Sequence, residues 1–194
     1  MPRRRIHTRT ITVDVFDEGD GTLSIEGRLQ DSQPEDSGYF PYAQRKNDPR
    51  PPGVQHGMAA RMRVDRATSD ILKTDGQFPH TPHAGCETVL ESLSKLDGVR
   101  IGAGYSGKSR EVLGGTKGCV HMNTLLQVMA NTKGPASAYF IEGGREGALK
   151  RFREQLIETG KLGQTDTCHQ WKSGGVEMTH IRAEIAALEA EGKI

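Results

Sequence analysis

The amino-acid sequence predicts an α+β fold, an antiparallel β-meander packed on one face by helices, and three observations predict it. Apolar and polar residues alternate with a period of two through the first part of the chain, apolar residues recur at three and four positions from about residue 87, and Gly/Pro clusters separate the periodic segments. At 194 residues the chain can build one domain with a real core, so residues 1–194 are read as a single α+β domain.

Each element has its own signal. In residues 6–16, Ile6, Thr8, Thr10 and Thr12 alternate with His7, Arg9, Ile11, Val13 and Val15, a β-rich pattern. Asp17-Glu18-Gly19-Asp20-Gly21 supplies a turn, and residues 22–30 return as a second strand, closing a hairpin. Residues 31–53 carry five prolines and few apolar groups, which predicts a long loop or lid. Residues 58–64 read as a third strand, 65–69 as a turn and 70–77 as a fourth strand, with Pro79 and Pro82 stopping the sheet. Val89, Leu90, Leu93 and Leu96 then mark an amphipathic helix closed by Gly98. A short helix follows over 109–113, and another starts at Cys119 with the apolar stripe Met122, Leu125, Leu126 and Met129. Further helices are predicted over 146–160 and 177–191, the latter forming the C-terminal segment 177–194.

Charge excludes several function classes. Acidic and basic residues number 25 and 26, so the chain lacks the positive balance of a nucleic-acid binder. Arg3-Arg4-Arg5 with Arg9 reads as a strand end facing solvent or substrate. No apolar run is long enough to cross a bilayer and no secretory leader is evident, which makes the cytoplasm the expected location and a membrane partner unexpected. Three cysteines cannot all pair within one chain, and a reducing compartment keeps them as thiols. The expected partner is a small-molecule substrate; whether the chain forms a homodimer stays open.

Chemistry gathers around those cysteines, each of which has a histidine within three residues: Cys86 with His83, Cys119 with His121, Cys168 with His169. Thiolate and imidazole are ligands of borderline transition metals, so the pairs predict a divalent transition metal, zinc or iron. His56, Cys86, Cys119 and His121 are the candidate ligands, all read at element ends; whether Cys168 and His169 join them is left open. The helix start at Cys86 places its thiol near the positive end of a macrodipole, favouring thiolate. Two thiolates would weaken a dication as a Lewis acid, whereas a catalytic ion keeps an open position. Glu87 is the best-placed acid/base group, ahead of Glu26 and Asp65, and Arg9 and Arg63, with Arg28, are candidates to grip a substrate carboxylate bidentately. A metal-free reading with Cys119 as nucleophile and His121 as base is disfavoured, because helix neighbours two apart face different ways.

The strings Arg4-Arg5-Ile6-His7-Thr8-Arg9, Ile25-Glu26-Gly27-Arg28-Leu29, His56-Gly57-Met58, Gly118-Cys119-Val120-His121-Met122 and Thr167-Cys168-His169-Gln170-Trp171 resemble the bacterial domain-of-unknown-function 2889 family, from about residue 3 to about residue 172. In that family the third-strand motif usually reads His-Asp-Met; Gly57 removes any role of that carboxylate here. The resemblance implies an association with bacterial catabolism of aromatic compounds and acyl-CoA intermediates. A narrower resemblance, over about 75 residues, is to the U-type iron–sulfur cluster scaffold (SufE/NifU-like) fold, with His56, Cys86 and Cys119 or His121 at its ligand positions. The expected function is therefore a metal-dependent enzyme of hydrolase or lyase type acting on a small carboxylate-bearing or aromatic catabolic intermediate. The alternative is a metal or iron–sulfur carrier without turnover.

Overall fold

A computed structural model describes residues 2–34 and 53–194, and the fold it shows is α+β. Contacts divide the chain into two units, Met1–Ser137 and Ala138–Ile194. The proposed lid within 31–53 lies, from residue 35 to residue 52, outside the described residues; its ends are tied together, Gln33 N–H donating to the Gly53 carbonyl at 2.8 Å.

The first unit is built on four strands in the order β1-β2-β3-β4, all antiparallel: β1 Thr8–Asp17, β2 Thr22–Ser32, β3 Val54–Asp65 and β4 Ile71–His80. The predicted alternation sets which face is buried. Leu23, Ile25 and Leu29 of β2 and Met58, Ala60, Met62 and Val64 of β3 form the inner face, with Ile11, Val13 and Val15 of β1 packing against them. The third strand begins earlier than the sequence suggested, and the fourth runs through Pro79 to His80. Proline is tolerated there because β4 is an edge strand, and the ladder is irregular between Gly57 and Ala59.

Helices cover the inner face. The segment Cys86–Leu96 winds as a 3₁₀ helix instead of the predicted α-helix. Leu90, Leu93 and Leu96 recur at three residues, and three residues per turn place them on one stripe. The α-helices α1 (Tyr105–Leu113) and α2 (Val120–Ser137) follow. Met122, Leu125, Leu126 and Met129 of α2 are fully buried, the stripe predicted from sequence. Gly27 of β2 is what lets α2 lie so close: a Cβ there would fall 2.6 Å from Met129 Sδ and 2.9 Å from Leu125 Cδ1.

In the second unit, α3 (Gly144–Thr159) and α4 (Val176–Ala190) share a small core of Leu149, Leu162, Met178, Ile181 and Ile185. Phe152 and Trp171 pack edge to face against it, and Arg145–Glu184 and Arg153–Glu189 ion pairs link the two helices. Among the described residues, no helix is long and apolar enough to cross a membrane.

Candidate metal centre

The inner faces of three strands all end on a polar group. Read along β2, the inward positions are Leu23, Ile25, Gly27, Leu29 and then Asp31; along β3 they run back from Val64 through Met62, Ala60 and Met58 to His56; along β1 they run from Val15 through Val13 and Ile11 to Arg9. The ladder places Arg9 opposite Asp31 and Asp31 opposite His56, so these three form one row across the sheet. His121 reaches the same spot from the first turn of α2, one helical turn ahead of Leu125, whose buried side chain lies over Gly27.

Asp31 is the hub, with only 1% of its surface exposed. Arg9 grips it as a fork, Nε donating to Oδ1 and Nη2 to Oδ2, each at 2.7 Å. His7 Nε2 lies 3.3 Å from Oδ1. On the other oxygen, Oδ2, His56 Nδ1 stands at 3.2 Å and His121 Nε2 at 3.7 Å, and the two imidazole rings are 4.1 Å apart between centroids. Despite its closeness, His56 Nδ1 is buried without a hydrogen bond.

The charge states suit ligation. Burial works against the ionised Asp31 carboxylate, but the Arg9 hydrogen bonds and charge, with His56 and His121 nearby, outweigh it and hold the carboxyl below its usual range. His56 is pushed down chiefly by burial and then by His121, His121 by burial and then by the Arg9 charge. Near neutrality the group is thus one carboxylate and two neutral imidazoles.

The donors also have the right spacing. Asp31, His56 and His121 each offer one ligand atom, all within 4.8 Å of one another. Ligands held at 2.0–2.2 Å in a tetrahedron are about 3.4 Å apart, a value bracketed by the 3.2 and 3.7 Å separations at Oδ2. A carboxylate oxygen has two lone-pair directions, so Oδ2 can accept from Arg9 and still offer one pair to an ion. An orphaned buried nitrogen facing a carboxylate oxygen is what such a donor set leaves when only the protein is counted.

Of the four ligands expected from sequence, the fold brings His56 and His121 together and adds Asp31 to them. Cys119 lies beside the group: its Sγ is 3.8 Å from His121 Nδ1, the ring nitrogen other than the one nearest Asp31. Cys86, half-buried at the start of the 3₁₀ helix, joins no such group among the described residues, and neighbouring Glu87 is exposed. Arg9 is in the site, but as the partner of Asp31. Arg63 lies seven residues from His56 along β3, roughly 20 Å away at strand spacing, where it pairs with Asp20 and donates to Thr22 Oγ1. Cys168 and His169 are exposed in the second unit. Strand alternation turns Gly57 to the opposite face from His56, against His80, so a carboxylate at that position would not face Asp31.

Asp31 is the residue the sequence reading passed over, as the first position of the Pro-rich loop. A signal was present: it continues the inward register of Leu23, Ile25 and Leu29, and a carboxylate in a buried register needs a partner.

Residues 7–134 match the family described as Protein of unknown function (DUF2889), and the chain belongs to that family. The strings around Ile25, His56 and Cys119 fall inside the matched span, and Thr167–Trp171 falls outside it. No curated protein and no solved structure matches the chain.

Proposed function

We propose that this DUF2889 protein holds a divalent transition ion, zinc or iron, on Asp31, His56 and His121 and uses it in hydrolase or lyase chemistry on a small carboxylate-bearing or aromatic substrate. The observation that carries the reading is the convergence of two imidazole nitrogens on one oxygen of a buried carboxylate, at 3.2 and 3.7 Å, with all three donor atoms within 4.8 Å of one another. When bound, such an ion supplies Lewis acidity toward a carbonyl or a water. The protein residues do the rest. Arg9 clamps Asp31 so that Oδ2 keeps a fixed direction, and Cys119 sits where it can orient the His121 ring through Nδ1. His56 and His121 both retain part of their surface, leaving the approach open on one side.

The donor set favours this over an iron–sulfur carrier. A cluster calls for several thiolates, and neither Cys86 nor Cys119 belongs to the group of three. One carboxylate and two neutral imidazoles leave a dication with net positive charge, the condition for polarising a substrate.

Metal analysis of tag-free protein tests the reading. The wild type is expected to carry about one zinc or iron per chain, and Asp31→Asn, His56→Ala and His121→Ala each to lose it, while Cys86→Ala retains it. Undiminished metal in the three site variants would sink the proposal. Turnover is then sought with a panel of small aryl esters and thioesters, and metal-dependent hydrolysis lost in His121→Ala is the expected result.

A further inference from the structure

The two edges of the sheet are finished differently. At the start of β4, Ile71 N–H donates to the Val99 carbonyl at 3.0 Å and Gly98 N–H donates to the Ile71 carbonyl at 2.7 Å, so the side away from β3 is already taken. Asp70 and Arg100 form an antiparallel bridge beside these bonds. Farther along, β4 contains Pro79, and its register with β3 shifts at Gly57/Ala59 and at Arg63/Val64. Occupied bonds, proline and irregular pairing stop an edge from recruiting another strand.

The opposite edge, β1, carries none of these devices. Its ten residues pair with β2 without interruption and include neither proline nor lysine, and among the described residues its backbone bonds only within that ladder. Glu18 N–H donates to the Thr22 carbonyl at 3.1 Å in the same register. By alternation the even residues of β1 then bond to β2, while Arg9, Ile11, Val13, Val15 and Asp17 turn their N–H and C=O toward the open edge. No residue of β1 is buried: Ile11, Val13 and Val15 pack on the core but keep part of their surface, and Phe16 is 49% exposed.

The order of residues along β1 suits a second copy of itself. A two-fold axis through Val13, perpendicular to the sheet, sets Val13 against its own copy, Ile11 opposite the partner's Val15, Thr12 opposite the partner's Asp14 and Arg9 opposite the partner's Asp17. The apolar inward row then continues across the join, and the ends are complementary in charge. An axis at Asp14 would press that carboxylate against its copy, and an axis at Thr12 would set Arg9 opposite Val15. We propose that β1 is a homodimer interface, two copies pairing antiparallel about Val13 to make one continuous sheet. The inference does not depend on the metal centre, although β1 also carries Arg9, the clamp on Asp31.

Sedimentation of the full chain over a range of concentrations, with hydrogen exchange on the same samples, tests the interface. A species of twice the chain mass is expected, and exchange at the Ile11, Val13 and Val15 amides should slow as it forms. Thr12→Asp sets a new carboxylate against Asp14 twice, once from each copy, and should weaken dimerisation about tenfold. Arg28 lies opposite Thr12 on β2, so this variant is expected to keep its fold, as circular dichroism would show. Thr12→Asp/Asp14→Lys makes the facing charges opposite and should restore the dimer. The proposal is overturned by a chain that stays monomeric up to about 1 mM, or by a dimer indifferent to Thr12→Asp. Slow exchange at those three amides at every concentration overturns it too, since the chain would then cover the edge itself, as does a loss that the double variant fails to reverse.

Discussion

The two ends of the four-stranded sheet use the same kinds of residue and do different things with them. At the β1–β2 turn, Asp20 faces Arg63 and Glu18 faces Arg61 across exposed strand ends. At the far end, Asp31 faces Arg9, but Asp31 is buried and two half-buried histidines share its second oxygen. Water screens the first set, so those pairs trim charge and contribute little. Burial turns the second into a preorganised donor cluster, because a carboxylate out of water must be fully satisfied. What distinguishes a site from an ion pair in this sheet is therefore the helix lying over it.

That contrast is broken most forcefully at Asp31. Asp31→Ala strands Arg9 and is expected to lower unfolding free energy by about 2–3 kcal/mol in urea titrations, the modest end for a buried pair because Arg9 reaches solvent. Adding zinc at a hundredfold excess over its dissociation constant should stabilise the wild type by about 2.7 kcal/mol, seen as a rise in melting temperature absent from His121→Ala. Gly27→Ala tests the helix: its new Cβ would collide with Met129 and Leu125, costing about 1–3 kcal/mol and weakening metal uptake as α2 carries His121 away from Asp31.

A pH scan separates burial from charge. Tyr105, 4% exposed, has its phenol pushed up to about 12 by burial, with a hydrogen bond to Ser109 opposing. A raised phenol pKa means the folded state favours the neutral form, so its contribution is intact below the ordinary value of 10 and is lost as pH rises from there through about 12. Ultraviolet titration should show the Tyr105 phenol ionising late, together with unfolding; its ionisation at the ordinary value would contradict the packing around α1. The smallest effect is expected at the other end of the sheet, where Asp20→Ala should leave both the urea midpoint and metal content unchanged. A clear loss of metal there would show that the two ends are coupled.

Strand alternation and the α2 stripe were legible because a half-buried strand and a surface helix print their period directly on the chain, and Met122, Leu125, Leu126 and Met129 are buried as that period requires. The segment Cys86–Leu96 differs in type from the α-helix its sequence predicts, since Leu90, Leu93 and Leu96 fit a period of three as well as one of 3.6. His56 and His121 stood out by residue type. Asp31 did not, because it borders a Pro-rich stretch and its burial depends on which strand ends beside it.

By itself, then, the chain determined its classes of element, their order, the inward face of each strand and a supply of imidazole and thiol donors. These follow from local sterics and from the separation of apolar groups from water. Only the tertiary structure decided which donors meet. Register put Arg9, Asp31 and His56 in one row, and the close approach of α2 at Gly27 set His121 above it. Cys86 shares the chemistry of a ligand but stands outside the group. Coordination depends on distances of a few ångströms between residues far apart in the chain, and those distances exist only once the helix has packed on the sheet.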